Sequence, residues 1–176
     1  MRYRAFIASD ESNQLYRLEY CHNLNRWREN LLPNDSPLRD LSNWSDEYKY
    51  FNNDGSRASD SIYNLPNNVG GIYVFYLKGL NLPFFENYIL YIGRCKSTDR
   101  QYIRKRALEY QHDDRPLIKE MMTRWKDRLF YRYYPDQDND RIDKTEVILI
   151  RAILPYYNEE IPDNVSVQPS TPAFEL

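Results

Sequence analysis

The chain has 176 residues and a net charge of −2, from 24 Lys and Arg against 26 Asp and Glu, which argues against a general polyanion binder. Its length is enough for one domain with a real core and leaves room for an appended segment, and its two cysteines make no disulfide framework. It begins without the apolar core of a signal peptide and has no apolar run of about 18 residues, so we expect a cytoplasmic protein without a membrane partner.

The charge is unevenly distributed along the chain. Residues 88–134 carry 12 basic and 6 acidic groups, whereas the segments before and after them have net charges of −2 and −6. Such a basic zone could meet phosphates, and its affinity for them would then fall steeply with salt. The alternative is a pair of helices with ordinary solvated Lys and Arg faces.

The first third of the chain reads as a helix followed by irregular structure. Residues 10–32 have apolar side chains at spacings of three and four, which is typical of a helix. These side chains are Tyr16, Tyr20, Leu24, Trp27 and Leu31. Residues 33–69 are rich in Asn, Asp, Ser and Pro, which favours an irregular lead-in with a short helical stretch around Leu38 to Tyr48.

From Gly70 onward, the pattern predicts alternating strands and helices. The β-branched and aromatic runs at 71–77 and 87–93 indicate two strands of a hairpin, and 129–134 alternates like a third strand. Three helices are predicted from the positions of apolar residues and prolines. They cover residues 99–113, 115–129 and 140–154.

The order of these elements predicts a small α/β (α+β) domain, a three-stranded sheet flanked by helices, over residues 68–160. Residues 1–67 then form an N-terminal extension, part helix and part irregular. Residues 161–176, with little core-forming sequence, form a loosely attached tail.

Glu146 is an unexpected residue on the last predicted helix. At about 100° per residue it lies about 40° from Ile142, in the middle of the stripe formed with Leu149, Ile150 and Ile153. Burying an unpaired carboxylate costs several kcal/mol, so the group needs water at a helix end or a positive partner. That partner is either an arginine from a neighbouring element or a metal ion in a cleft, and Glu146 alone does not decide between them.

Several short motifs stand in order over about residues 68–160. Gly71-Ile72-Tyr73 lies in the first predicted strand and Tyr91-Ile92-Gly93 in the second. Arg106 and Tyr110 follow, four residues apart, and then come Glu146 and Pro155-Tyr156-Tyr157-Asn158. In this order and spacing the motifs resemble the GIY-YIG nuclease superfamily. The loop between the tripeptides is longer than in compact members, and a few extra residues stand between Lys96 and Ile103, which puts specificity in doubt more than chemistry.

The resemblance implies metal-dependent hydrolysis of phosphodiester bonds in DNA, most simply double-stranded DNA. The residues that it assigns to the site are Tyr73, Tyr91, Arg106, Tyr110, Glu146 and Asn158. Glu146 would hold Mg²⁺ or Mn²⁺, because one hard carboxylate without a histidine cluster suits a cation that takes further oxygens from phosphate.

Individual roles follow from the chemistry of these side chains. Tyr73, assisted by Tyr91, would position or deprotonate the attacking water, since nearby positive charge favours a phenolate. On its predicted helix Arg106 lies about 60° from the inward direction, where it can reach over the sheet or place its head in water. Tyr110 would contact phosphate or order a water, and Asn158 would hold a water or a loop.

Other assignments remain open at the level of sequence. Lys96 and Arg104 are weaker candidates for contacts with the DNA backbone. The first 65 or so residues are open to a recognition or a dimerisation role, so a homodimer is compatible with the sequence. A non-catalytic nucleic-acid-binding module on the same fold and a protein-interaction adaptor are the alternatives to an enzyme.

Overall fold

The computed structural model describes residues 2–8, 15–21, 35–78 and 87–158. The described chain is a mixed α+β structure whose main feature is an antiparallel sheet with helices on both faces. No helix in these ranges is long and apolar enough to cross a membrane.

The first two strands, β1 (Arg2–Ala8) and β2 (Leu15–Cys21), pair antiparallel as a separate two-stranded sheet. The predicted helix over residues 10–32 is therefore wrong at 15–21, and the rest of that range lies outside the described residues. Tyr16 and Tyr20 are four residues apart, and a spacing of four fits both a helical stripe and one face of a strand. Pairing with β1 decides for the strand.

The main sheet has four strands, so the predicted count of three is corrected. They are β3 (Tyr48–Lys49), β4 (Gly70–Leu77), β5 (Tyr88–Cys95) and β6 (Leu129–Asp136), in the order β3-β6-β4-β5 with antiparallel pairing throughout. The added edge strand β3 has only two residues, which is too short for an alternating pattern to reveal. The predicted hairpin of β4 and β5 and the predicted strand β6 are confirmed.

Within the described residues four α-helices accompany the sheet, and two of them are shorter than predicted. They are α1 (Asp60–Tyr63), α2 (Ile103–Glu109), α3 (Pro116–Arg124) and α4 (Asn139–Ile153). Before α2, Thr98 and Gln101 pair as an isolated bridge, and after it Tyr110–His112 tightens into a 3-10 turn. A turn closed by the Arg128 amide donating to the Trp125 carbonyl separates α3 from β6.

The core extends into residues before the predicted domain boundary at 68. Two single-turn 3-10 helices, Pro37–Arg39 and Leu41–Asn43, lie in the stretch where a short helix is predicted. Beyond them Tyr50 and Ile62 are fully buried in the same cluster as the sheet, and the Tyr50 hydroxyl donates to the carbonyl of Ala107 at 2.7 Å. Part of the predicted extension thus completes the core.

The two faces of the main sheet bury different kinds of side chain. We call the buried cluster between the sheet and helices α2 and α3 the aromatic face. Its members include Tyr73, Phe75, Tyr91, Tyr110 and Tyr131. We call the buried cluster between the other side of the sheet and α4 the aliphatic face. Its members include Ile72, Val74 and Ile92 from the sheet and Ile142, Leu149 and Ile150 from α4. Alternation along β4 sends successive residues to opposite faces, which separates Tyr73 from Ile72.

Candidate functional site

Tyr73, the tyrosine of the first tripeptide, lies at the centre of a buried hydrogen-bonded cluster on the aromatic face. Its hydroxyl is 2.7 Å from that of Tyr110, and the Nε of Arg106 donates to it at 3.1 Å. The Tyr73 ring also stacks on Tyr131, with centroids 5.6 Å apart. Three of the predicted site residues are therefore brought together by direct hydrogen bonds.

The glycines of the two tripeptides are required by close approaches of the chain. Gly93 is the cross-strand partner of Tyr73, and a Cβ at Gly93 would lie 2.4 Å from the Tyr73 hydroxyl oxygen. Gly71 has φ +143°, and a Cβ there would lie 2.0 Å from the carbonyl oxygen of Tyr134. Only glycine leaves the Tyr73 ring room to cross β5 and reach Tyr110.

Arg106 reaches the cluster from α2 and stays partly open to solvent. Its Nη1 donates to Glu109 at 2.9 Å, one turn along the same helix, and its guanidinium lies 5.1 Å from the centroid of the Tyr110 ring. The side chain is 30% exposed. Arg106 is thus held by two partners while its head remains accessible to an anion.

Tyr91 borders the cluster. Its ring centroid is 5.7 Å from that of Tyr110, and the guanidinium of Arg115 lies 5.9 Å from the Tyr91 centroid. Arg115, at the start of α3, forms a two-nitrogen contact with the carboxylate of Asp113. The tyrosine of the second tripeptide therefore faces a second arginine, which the sequence reasoning did not select.

Burial opposes the phenolate that positive charge near Tyr73 would favour. Burial raises the pKa of Tyr73 well above its ordinary value, and the nearby Arg106 charge, which lowers it, compensates only in part. Burial raises the pKa of Tyr110 in the same way. At neutral pH both hydroxyls are therefore protonated and serve as hydrogen-bonding groups.

Glu146 lies on α4, at the end of the aliphatic face, and is paired with an arginine. The Nη1 of Arg94 contacts the Oε2 of Glu146 at 2.6 Å, and the carboxylate side chain is 16% exposed. Arg94 is on β5, directly after Gly93, and its Nε also lies 3.1 Å from Asp143 Oδ1. Of the two partners considered for Glu146, the structure contains the arginine from a neighbouring element.

The charge around Glu146 is incompletely balanced. Burial raises the pKa of Glu146 above its ordinary value, and the charge of Arg94 lowers it without removing the shift. Arg106 also acts on this carboxyl by lowering its pKa, so the two groups are within electrostatic range of each other. Arg106 lies on one face of the sheet and Glu146 on the other, and their charges interact around the edge strand β5.

The residues around Glu146 are compatible with a divalent cation. Asp143 and Glu146, three residues apart on α4, both pair with Arg94, whose Nε lies 3.1 Å from the buried Oδ1 of Asp143 and whose Nη1 lies 2.6 Å from Glu146 Oε2. A carboxylate whose pKa stays raised despite its arginine partner lies in an environment that an additional positive charge stabilises. Within the described residues no group of three or more His, Cys, Asp or Glu converges, so a cation here would depend on oxygens from a substrate.

The side chain of Asn158 forms hydrogen bonds with the backbone of the edge strand β5. Its Oδ1 accepts from the amide of Ile92 at 2.9 Å, and its Nδ2 donates to the carbonyl of the same residue at 2.7 Å. The amide of Tyr157 donates to Leu90 at 3.0 Å. The segment that ends α4 therefore covers the exposed edge of β5, which is the loop-holding role among those considered for Asn158.

The two candidates for contacts with the DNA backbone lie at the margin of this region. Lys96 pairs with Asp143 at 3.2 Å. The guanidinium of Arg104 lies 5.8 Å from the centroid of the Tyr102 ring. Neither belongs to the hydrogen-bonded cluster of Tyr73.

Sequence reasoning missed Arg94, Asp143 and Arg115, although two of them carried a signal. Arg94 continues the alternation of Ile92 and so had to point at the aliphatic face, under the helix that carries Glu146. Asp143 stands three residues before Glu146 on the same helical face. Arg115 precedes Pro116 at a helix start, and nothing in that position distinguishes it from a solvated arginine.

The chain matches no protein-family model, no curated protein and no solved structure. The resemblance to the GIY-YIG superfamily therefore depends on the tripeptides, the Arg106–Tyr110 spacing and Glu146 in this chain alone.

Proposed function

We propose that the chain is a GIY-YIG-type endonuclease that hydrolyses phosphodiester bonds in DNA with Mg²⁺ or Mn²⁺. The observation that supports this best is the cluster of Arg106, Tyr73 and Tyr110, because an arginine held by buried hydroxyls and still 30% exposed is suited to an anionic group. The nearby carboxylate of Glu146, with its raised pKa, is the second supporting observation.

In this proposal Arg106 binds an oxygen of the scissile phosphate and stabilises its developing charge. Tyr73 orients Arg106 by accepting a hydrogen bond from its Nε, and Tyr110 holds the Tyr73 hydroxyl in place. Asp143 and Glu146 would hold the divalent cation, and Arg94 keeps the two carboxylates together. When bound, such a cation supplies positive charge to the phosphate and lowers the pKa of a coordinated water.

Tyr91 is the better candidate for a contact with the attacking water. Unlike Tyr73, its hydroxyl is not part of the bond between Tyr73 and Tyr110, and its ring lies beside the partly exposed Arg115. A phenol next to a guanidinium can orient water even when it keeps its proton. The sequence-based assignment of the base to Tyr73 is replaced in the proposal by an orienting role.

A non-catalytic nucleic-acid-binding module is the second candidate function. It is favoured by the ion pair between Arg94 and Glu146, which already neutralises much of the carboxylate charge without a metal. In that case Arg106 and its neighbours would bind phosphate and leave it intact.

Nicking of supercoiled plasmid separates the two functions. We expect the wild type to convert plasmid to nicked or linear DNA in Mg²⁺ or Mn²⁺ and to leave it intact in EDTA. Glu146→Gln should bind the plasmid and leave it uncut under both conditions. Salt-dependent binding without any cleavage by the wild type supports the binding module, and no binding at all supports neither.

A further inference from the structure

Arg115 is positioned more firmly than an ordinary surface arginine. Its Nε and Nη2 donate to the two oxygens of Asp113 at 3.0 and 2.7 Å, and its backbone amide donates to Asp113 Oδ1 at 3.0 Å. Asp113 itself is largely buried, and its hydrogen bond with Arg115 lowers the pKa of Asp113, so the carboxylate stays charged. The pair fixes the plane of the guanidinium.

This guanidinium lies over the same ring as that of Arg106. Arg115 is 5.8 Å and Arg106 is 5.1 Å from the Tyr110 centroid, and Arg115 also lies 5.9 Å from the Tyr91 centroid. Stacking on aromatic rings holds a planar cation in place while leaving its N–H groups available for acceptors. The guanidinium groups of Arg106 and Arg115 are thus both held against the Tyr110 ring.

Both arginines retain access to solvent. The side chain of Arg115 is 42% exposed, and Asp113 uses the Nε and Nη2 edge of the fork, which leaves the Nη1 group outside that two-nitrogen contact, although the Tyr91 hydroxyl also interacts with the guanidinium. A guanidinium with one edge fixed by a carboxylate can present its remaining N–H groups to a phosphate.

We infer that Arg115 binds a second phosphate of the nucleic acid, next to the phosphate that Arg106 binds. This inference rests on the proposed function and adds a substrate-binding residue to that site. The simpler alternative is that Arg115 and Asp113 only order the turn before α3. The two differ in one measurable quantity, because a phosphate contact contributes to the salt dependence of DNA binding and a purely structural contact does not.

The test is equilibrium binding of a fluorescent DNA duplex by the full chain in EDTA, over a series of salt concentrations. Arg115→Ala should reduce the slope of log affinity against log salt by about one phosphate contact. Arg115→Lys keeps the charge and should retain most of the slope. Arg124→Ala is the matched control, since Arg124 lies on the same helix, is 43% exposed and is paired with its own carboxylate, Glu120. It should leave the slope unchanged.

Arg115→Gln covers the case in which the alanine variant does not fold, because Gln can still donate to Asp113 while it removes the charge. A slope that drops in Arg115→Gln and persists in Arg124→Ala supports the inference. An unchanged slope, or an equal drop in Arg124→Ala, overturns it and leaves the proposed function intact if the wild type still cuts DNA. Absence of salt-dependent binding by the wild type overturns both.

Discussion

The two faces of the main sheet bury their polar groups by different means. On the aromatic face, neutral hydroxyls bond to one another and to backbone, as in Tyr73 with Tyr110 and Tyr50 with Ala107. On the aliphatic face, charged groups pair at the end of the sheet, where Arg94 meets Glu146. Burying a pair of neutral hydroxyls costs less free energy than burying an ion pair. Polar groups can therefore be fully buried on the aromatic face, whereas those of the aliphatic face lie at the edge of the sheet.

The comparison also shows where charged groups of the two faces interact electrostatically. Both polar groups lie near the paired positions Tyr73–Gly93 and Ile72–Arg94, which are adjacent in the register of β4 and β5. Since β5 is an edge strand, charges from both faces act on the same margin, as the effect of Arg106 on the pKa of Glu146 indicates.

The largest expected effect concerns Arg106 on the aromatic face. Arg106→Ala should reduce the single-turnover rate of DNA cleavage by roughly two to three orders of magnitude, as loss of a charge-stabilising donor does. Lys105→Ala is the control, because Lys105 is exposed and donates to the carbonyl of Arg100 instead of the cluster. Similar losses in the two variants would show that Arg106 has no special role.

Gly93→Ala tests whether packing of the aromatic face requires a residue without a side chain at position 93. The added Cβ would lie 2.4 Å from the Tyr73 hydroxyl, so the ring must move, and we expect a loss of about 3 kcal/mol in the free energy of unfolding. Urea denaturation measures it. In a Tyr73→Ala background the same change should cost much less, and an equal cost there would place the clash elsewhere.

Tyr73→Phe and Tyr131→Phe compare two stacked tyrosines of the aromatic face. Tyr73→Phe leaves the buried hydroxyl of Tyr110 and the Nε of Arg106 without a partner, which should cost about 1–2 kcal/mol in the free energy of unfolding. The Tyr131 hydroxyl is buried, and no described group bonds to it, so Tyr131→Phe should be neutral or stabilising. Thermal denaturation of both variants checks the order, and a more stable Tyr73→Phe would contradict the hydrogen-bonded cluster.

The smallest expected effect is the pH dependence of stability that Glu146 contributes. Because burial raises the pKa of folded Glu146 above 4.5, the native state binds more protons than the unfolded state between these two values. The resulting penalty is absent below pH 4.5 and fully present above the folded pKa. Glu146→Gln should therefore gain stability relative to the wild type as pH rises from acid to neutral.

The measurement is urea denaturation of both proteins between pH 4 and 7, a range set around the ordinary pKa of a glutamate. Asp143→Asn serves as the comparison on the same helix face, since the Asp143 side chain is 37% exposed and that of Glu146 is 16% exposed. If Glu146→Gln instead lost stability relative to the wild type as pH rises, the raised pKa would be contradicted.

Much of the fold from Gly70 onward follows from local pattern. The runs at 71–77 and 129–134 form strands because β-branched and aromatic residues fit a buried sheet, and α4 forms where the apolar stripe of Ile142 and Leu149 predicts it. The two-residue strand β3 and the strand at 15–21 were missed because each is selected by its pairing partner, which local spacing does not encode.

The site divides in the same way. The contact between Arg106 and Tyr110 depends on positions four apart in the chain, so spacing was enough to bring them together in prediction. The pairing of Glu146 with Arg94 depends on packing between α4 and β5, and the sequence left it as one of two alternatives. The raised pKa of Tyr73 reflects complete burial, which outweighs the arginine charge and could not be weighed without the packed structure.

A double-mutant cycle between Arg106 and Glu146 tests most directly whether the two faces serve one nuclease site. Single-turnover cleavage of plasmid would be measured in Mn²⁺ for the wild type, Arg106→Ala, Glu146→Gln and the double variant. If both residues act on one phosphate, the double variant should be about as slow as the slower single variant, because groups that act as a unit are strongly non-additive. Losses that multiply would show that the residues act independently, and full cleavage by either single variant would contradict the proposed site.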